Sequence, residues 1–106
     1  MAKYLFIGNY TSEGAKGLAK EGGTARRAAA AEAAESLGGK LEAFYFGFGG
    51  DDVYAIIEHP DHSTAAALSL AVNQSGMATG RTVVLMTPEE MDAAVKKTPT
   101  YRPPGG

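Results

Sequence analysis

The chain has 106 residues, no cysteine and a formal net charge of −2, and these values limit its architecture. A chain of this length forms one domain that buries roughly two thirds of its unfolded surface, which is enough for a single core. Without cysteine, disulfides, thiolate metal sites and a cysteine nucleophile are excluded, and a cytoplasmic location is expected. The adjacent basic pairs are Arg26-Arg27 and Lys96-Lys97, too few for a face that binds nucleic acid.

The N-terminal residues and the apolar runs of the chain predict no targeting or membrane segment. The first ten residues hold one lysine and a short apolar run, whereas a secretory segment needs roughly 7–15 apolar residues. A membrane span needs about 18, and no run approaches that length. We therefore expect no signal peptide and no membrane partner.

The first predicted elements are a strand and a weak helix. Residues 3–10 are rich in aromatic and branched side chains, which would alternate between the two faces of a strand; this pattern predicts a strand. Residues 11–23 contain Gly14, Gly17 and a Gly22-Gly23 pair. Because each glycine costs about 1 kcal/mol against alanine in a helix, we expect one or two helical turns there, followed by a break at Gly22-Gly23.

The alanine-rich residues 24–37 predict a long helix, with Thr24 as its N-cap and Gly38 just past its end. Arg26 is unusual in this helix, because a spacing of about 100° per residue places it on the inner stripe with Ala30. A cation in the first turn also opposes the helix dipole. Two interpretations stay open: Arg26 extends to water past the sheet edge, or it pairs with a carboxylate there.

The second half of the chain predicts a hairpin, a helix, a strand and a short final helix. The fourth strand is followed by Thr87-Pro88-Glu89-Glu90, a capping box with proline in the first turn. The last residues are rich in proline and glycine, so we divide the chain into a domain at 1–97 and an extended tail at 98–106. The predicted elements are a strand at 40–48, a turn at 49–52, a strand at 53–59, a helix at 61–75, a strand at 79–86 and a helix to about residue 97.

This order predicts an α+β fold. Two β-α-β halves joined by a hairpin form the ferredoxin-like βαββαβ arrangement, here with a short C-terminal helix. Right-handed crossovers favour an antiparallel sheet of order 4-1-3-2, with both long helices on one face.

The face opposite the helices is expected to be apolar, because the first three strands carry aromatic or aliphatic residues at nearly every position. On the second strand, Leu41, Ala43 and Tyr45 are expected on one face, opposite Phe44 and Phe46. Monomers rarely expose an apolar patch of several hundred Å². Our hypothesis is that this face packs on an identical sheet in a two-fold homodimer.

Several short motifs are distributed along most of the chain. They are Tyr10-Thr11 with Glu13-Gly14, Gly22-Gly23 with Arg26-Arg27, Leu37-Gly38-Gly39, Phe44-Tyr45-Phe46, the Gly49-Gly50-Asp51-Asp52 turn, Glu58-His59-Pro60-Asp61 and Thr87-Pro88-Glu89-Glu90. Together they resemble the motifs of the GYD-domain family, which is similar to the dimeric α+β-barrel superfamily. In the family's eponymous turn, here residues 49–52, an aspartate replaces the usual tyrosine.

The resemblance implies a ferredoxin-like subunit and a dimer that packs sheet on sheet. It does not specify a reaction, because relatives in the wider superfamily include cofactor-free monooxygenases, isomerases, haem enzymes and ligand binders.

Tyr10, Arg26 and Asp52 are predicted to meet at one edge of the sheet. Tyr10 ends the first strand, Arg26 begins the helix that follows, and Asp52 begins the antiparallel third strand. We expect Arg26 to pair with Asp52, either as a structural ion pair or as part of a ligand-binding site.

A second group of candidates lies at the other end of the third strand. Strand length of roughly 23 Å separates Asp52 from Glu58, so they cannot form a dyad within one subunit. Alternation places Glu58 on the same face as Tyr54, partly buried, which makes it a candidate for ligand binding with His59. The His59 and His62 spacing matches no metal motif, so we expect loop imidazoles in solvent and no metal site.

The sequence therefore favours a homo-oligomeric module that holds a small apolar or aromatic molecule between helices and sheet, without a cofactor. The alternative is a cofactor-free enzyme of the oxygenase or isomerase type that uses tyrosine, histidine or carboxylate groups. A third interpretation, a haem or metal protein, has the least support.

Overall fold

The computed structural model describes all 106 residues. Every pair in its sheet is antiparallel and the strand order is β2-β3-β1-β4, which is the predicted order, so the prediction of a ferredoxin-like α+β fold is confirmed. The elements are β1 Ala2–Tyr10, α1 Ser12–Glu21, α2 Gly23–Ser36, β2 Lys40–Phe46, β3 Val53–His59, α3 His62–Gln74, β4 Ala78–Val84 and α4 Pro88–Val95.

Two predictions about the first helices were wrong in detail. α1 contains 10 residues, more than the one or two turns expected from its glycines. The predicted break is confirmed, since Gly22 has a φ of 87° that favours glycine. α2 begins directly after Gly22 without a side-chain cap, so Thr24 lies inside the helix instead of capping it.

A β-bulge in β2 changes which side chains share a face. Leu41 pairs with Ile57, whereas Ala43 pairs with the adjacent Ile56, so one extra residue separates them on β2. Leu41 therefore packs against the core on the helix side. The expectation that it shares a face with Ala43 and Tyr45 was wrong.

The core lies between the sheet and the two long helices and is built around small side chains. Ala34 of α2 is fully buried against Ala55 and Ile57 of β3. Alanine at this contact lets the helix approach the sheet closely, but it fills little of the space beside it. Larger residues surround this centre: Phe6, Leu41, Phe44 and Leu68.

The sheet has one covered face and one open face, and β3 shows the difference most clearly. Val53, Ala55, Ile57 and His59 are buried, while the intervening residues retain exposure. We call the side of the sheet that carries those intervening residues the open face. By strand register, its apolar residues are Leu5, Ile7, Ala43, Tyr45, Tyr54, Ile56 and Val83.

Charged side chains lie at both ends of the open face, which sequence patterning did not predict. At one end Lys3 donates to Glu42 over 2.8 Å, and at the other Arg81 lies 3.6 Å from Asp51. The open face thus has an apolar centre and a charged rim.

The C-terminal segment extends away from the domain. α4 begins with the predicted capping box, in which Thr87 and Glu90 exchange hydrogen bonds. Residues 86–106 are all exposed. The radius of gyration is 16.8 Å, compared with about 13 Å for a compact domain of this size. None of the helices combines the length and the apolar character needed to cross a membrane.

The start of α1 is fixed to the turn between α3 and β4. The backbone N–H of Thr11 donates to the Met77 carbonyl over 3.0 Å, and its hydroxyl donates to the Gly76 carbonyl over 2.8 Å. A Cβ on Gly14 would lie 1.7 Å from the Met77 oxygen. The absence of a side chain at position 14 is therefore what permits this contact.

We predict that Gly14→Ala destabilises the protein by about 2–4 kcal/mol, because the added methyl group forces α1 off the turn at Met77. Gly17→Ala is the matched control in the same helix, since a Cβ there meets nothing within 4 Å. The control should gain up to about 1 kcal/mol from helix propensity. Urea unfolding curves measure both changes, and equal stability of the two variants would contradict the prediction.

Candidate functional site

A cavity of about 280 Å³ lies between the sheet and the two long helices. Its lining is mostly apolar, and aromatic rings from two different strands contribute to it. This volume is close to the lower end of the range of small-molecule sites. The principal apolar lining residues are Phe6, Ala30, Ala33, Phe44, Leu68 and Val72.

The cavity arises from alanines on α2 and from a glycine on β4. Ala30 and Ala33 present only methyl groups to the sheet, so they leave volume that larger side chains would fill. Gly80 accommodates the ring of Phe6, because a Cβ at position 80 would lie 2.1 Å from the tip of that ring. The Phe6 ring can therefore reach over β4 at Gly80 while it lines the cavity.

The polar end of the cavity lies where β1 ends and is formed by Asn9, Tyr10 and Arg26. The carboxylate of Asp52 accepts the backbone N–H of Tyr10 over 2.9 Å. The Asn9 amide donates to Asp51 over 2.8 Å. The structure thus brings Tyr10 and Arg26 together in one lining and places Asp52 directly beside them.

The predicted ion pair between Arg26 and Asp52 was wrong. Arg26 instead donates to Glu21, the last residue of α1, over 3.1 Å. Asp52 is already held by the backbone of Tyr10. The interpretation that Arg26 pairs with a carboxylate is therefore correct, but the partner comes from α1. Both side chains of the pair are about 40% exposed (39% and 42%), so the ion pair contributes less than about 1 kcal/mol.

Tyr10 is held as a neutral phenol. Burial at the end of the cavity raises the pKa of Tyr10, and the nearby Arg26 opposes that shift only in part. The hydroxyl is consequently protonated at neutral pH and available as a hydrogen-bond donor.

Glu58 and His59 are distant from this cavity, and they lie on opposite faces of the sheet. Both lie at the opposite end of β3, where Glu58 is on the open face in register with Lys3 and Lys40. His59 is on the helix side and is 2% exposed. The expectation of a solvent-exposed loop imidazole was wrong for His59, because it is the last residue of β3.

His59 belongs to a small aromatic cluster. Its ring packs edge-on against Tyr4, with centroids 5.2 Å apart, and the Tyr4 hydroxyl lies 2.6 Å from Nδ1 of His62. Nδ1 of His59 is buried without a hydrogen-bond partner. Burial lowers the pKa of His59, and Asp61 opposes the shift. The structure contains no group of three or more His, Asp or Glu side chains placed to hold a metal ion.

Sequence reasoning missed Glu21 and the cavity-lining rings. Glu21 lies immediately before the glycine break, five positions ahead of Arg26, and this proximity across a predicted break was the available signal. Phe6 and Phe44 line one cavity because of the strand register and the bulge in β2. Neither feature can be recognised from a local sequence pattern.

The buried imidazole predicts a pH dependence of stability. Because the pKa of His59 is lowered in the folded state, the unfolded chain takes up the proton first as pH falls below about 6.5. Stability should therefore be complete well above pH 6.5 and decline as the pH falls below about 6.5, by no more than about 1.4 kcal/mol per pH unit. The low pKa of Asp61 contributes only near and below its usual range at about pH 4.

Urea unfolding at several pH values measures this slope. His59→Leu should remove it, because no imidazole is then buried at the end of β3. An unchanged slope in His59→Leu would assign the dependence to another group.

Comparison with known proteins gives one match. The family model of the GYD domain matches residues 4–95, which include most of β1, the other three strands and the whole cavity lining. Neither the search of curated proteins nor the search of solved structures finds a match. Since the matched region covers most of the 106 residues, the chain belongs to the GYD domain family.

Proposed function

We propose that this protein is a homo-oligomeric module that binds a small apolar or aromatic molecule in the cavity between its sheet and helices. The observation that carries the proposal is the cavity itself, which has about 280 Å³ of space beneath two aromatic rings and a polar group of residues at one end. A mostly apolar lining with a few convergent polar groups is characteristic of small-molecule sites.

The chemistry of the lining supports binding more than catalysis of proton transfer. The titratable groups that line the cavity are Tyr10 and Arg26. Burial raises the pKa of Tyr10, so the phenolate that could act as a base is even less populated at neutral pH. Both groups are therefore suited to donating hydrogen bonds to a bound molecule.

The open face supports assembly with a second copy through a two-fold interface. Tyr45 and Tyr54 face each other across the strands and are 71% and 36% exposed. An apolar centre enclosed by a charged rim is the usual anatomy of a protein interface. The pairing of two such sheets would cover the aromatic side chains that one chain leaves in water.

The C-terminal segment supports the same conclusion. Met91 and Val95 lie four residues apart on α4, so they share one side of that helix, and they are 51% and 71% exposed. A helix whose residues are all exposed in its own chain is suited to pack on a neighbouring copy.

Cavity filling tests the binding proposal. Ala30→Leu places a larger side chain in the lining, whereas Ala28→Leu changes an exposed position of the same helix with the same change in helix propensity. We expect Ala30→Leu to weaken the binding of phenylacetamide, a neutral aromatic probe, by at least about tenfold, and Ala28→Leu to bind like the wild type. Ligand-observed NMR titrations measure both affinities, and equal binding by the two variants would contradict the proposed site.

Sedimentation velocity tests the assembly proposal. We expect a dimer at micromolar concentration and weaker association in Tyr45→Glu. An unpaired buried charge costs at least about 1–3 kcal/mol, and a two-fold interface contains it twice, so the dissociation constant should rise by roughly 30-fold or more.

Leu70→Glu is the matched control for this experiment. Leu70 is 61% exposed on α3, away from the open face, so the same apolar-to-charged change should leave the sheet interface intact. A wild-type monomer at micromolar concentration would contradict the assembly proposal.

A further inference from the structure

The charge of the cavity lining indicates which class of molecule it holds. We infer that the ligand is a small aromatic or aliphatic monocarboxylate, and that its carboxylate binds Arg26 in exchange for Glu21. This inference rests on the proposed binding function and specifies the chemistry of its ligand.

Arg26 is the only fully charged side chain in the lining. Its guanidinium has five N–H donors, and the one hydrogen bond that it makes is from Nη1 to Glu21. A planar guanidinium matches the geometry of a carboxylate and can bind it through two parallel hydrogen bonds. Arg26, which lines the cavity, therefore keeps further N–H donors of the kind that an anionic group requires.

The surroundings of Arg26 combine hydrogen-bond donors with two nearby carboxylates, Glu21 and Asp52. The Tyr10 phenol is protonated at neutral pH even at its ordinary pKa of about 10, and burial raises that pKa further, so its hydroxyl can donate to an anion. The first turn of α2 has no acidic residue and no side-chain cap, so the positive end of the helix adds to the charge of Arg26. Asp52 is occupied by the backbone N–H of Tyr10 and is not part of the lining.

The ion pair between Glu21 and Arg26 is one that a ligand can replace. It is the last residue of α1, adjacent to the break at Gly22, and its ion pair with Arg26 is exposed on both sides. An exposed ion pair is weak because solvent screens it. A ligand carboxylate that also buries an apolar body has the additional hydrophobic contribution that Glu21 lacks.

The cavity also limits the size of the ligand. A volume of about 280 Å³ corresponds to roughly nine water molecules at about 30 Å³ each, and thus to a ligand of about ten non-hydrogen atoms. Phenylacetate fits this limit, and phenylacetamide has the same ring and length without the charge.

The test is the ratio of the affinities for phenylacetate and phenylacetamide, measured by NMR titration of the full chain at pH 7 and low salt. We expect the wild type to prefer phenylacetate. Arg26→Gln should lower this preference by about tenfold or more, the range of a charge-assisted hydrogen bond. Glu21→Gln should raise it about twofold to fivefold, because the competing carboxylate is removed.

Arg27→Gln is the matched control, since it removes the neighbouring arginine, which does not line this cavity, and should retain the wild-type ratio. Equal affinity of the wild type for the two probes, or a ratio unchanged by Arg26→Gln, would overturn the inference and leave the binding function standing. If neither probe binds the wild type, the proposed function fails together with the inference.

Discussion

The structure depends on one constraint, which is that the two central strands are apolar on both faces. β1 is bonded to β3 on one side and β4 on the other, so it has no free edge, and its side chains can be buried only above or below the sheet. The helices cover one face of the sheet. That arrangement leaves a core with a cavity beside it on the helix side, and an apolar centre on the open face. Both proposals about function concern these two consequences of the same pattern.

The helix side and the open face differ in what they can accept. On the helix side, alanines of α2 bring backbone close to the sheet and leave a cavity of about small-molecule size. On the open face, the exposed groups form a broad surface with charged ends at Lys3 and Arg81. A concave cleft is suited to a small molecule, whereas a broad surface with charged ends is suited to another folded chain.

The sequence predicted the elements that local patterning controls and missed those set by tertiary contacts. Strand order, the break at Gly22 and the capping box at Thr87 followed from periodicity and from residues with restricted conformations. The length of α1 did not, because its contact with the Met77 carbonyl compensates for its glycines. At the candidate site, the proximity of Tyr10 and Arg26 was predictable from topology. The partner of Arg26 was not, since it depends on how α1 and α2 meet.

The fit of Phe6 over Gly80 has a consequence for how members of this family can diverge. A side chain at position 80 would collide with the tip of the ring, so a substitution there must displace the ring or be accompanied by a smaller residue at position 6. Either change would alter the shape of the cavity on the side next to β4. The two positions are therefore expected to covary among homologues, with glycine at position 80 accompanying an aromatic residue at position 6.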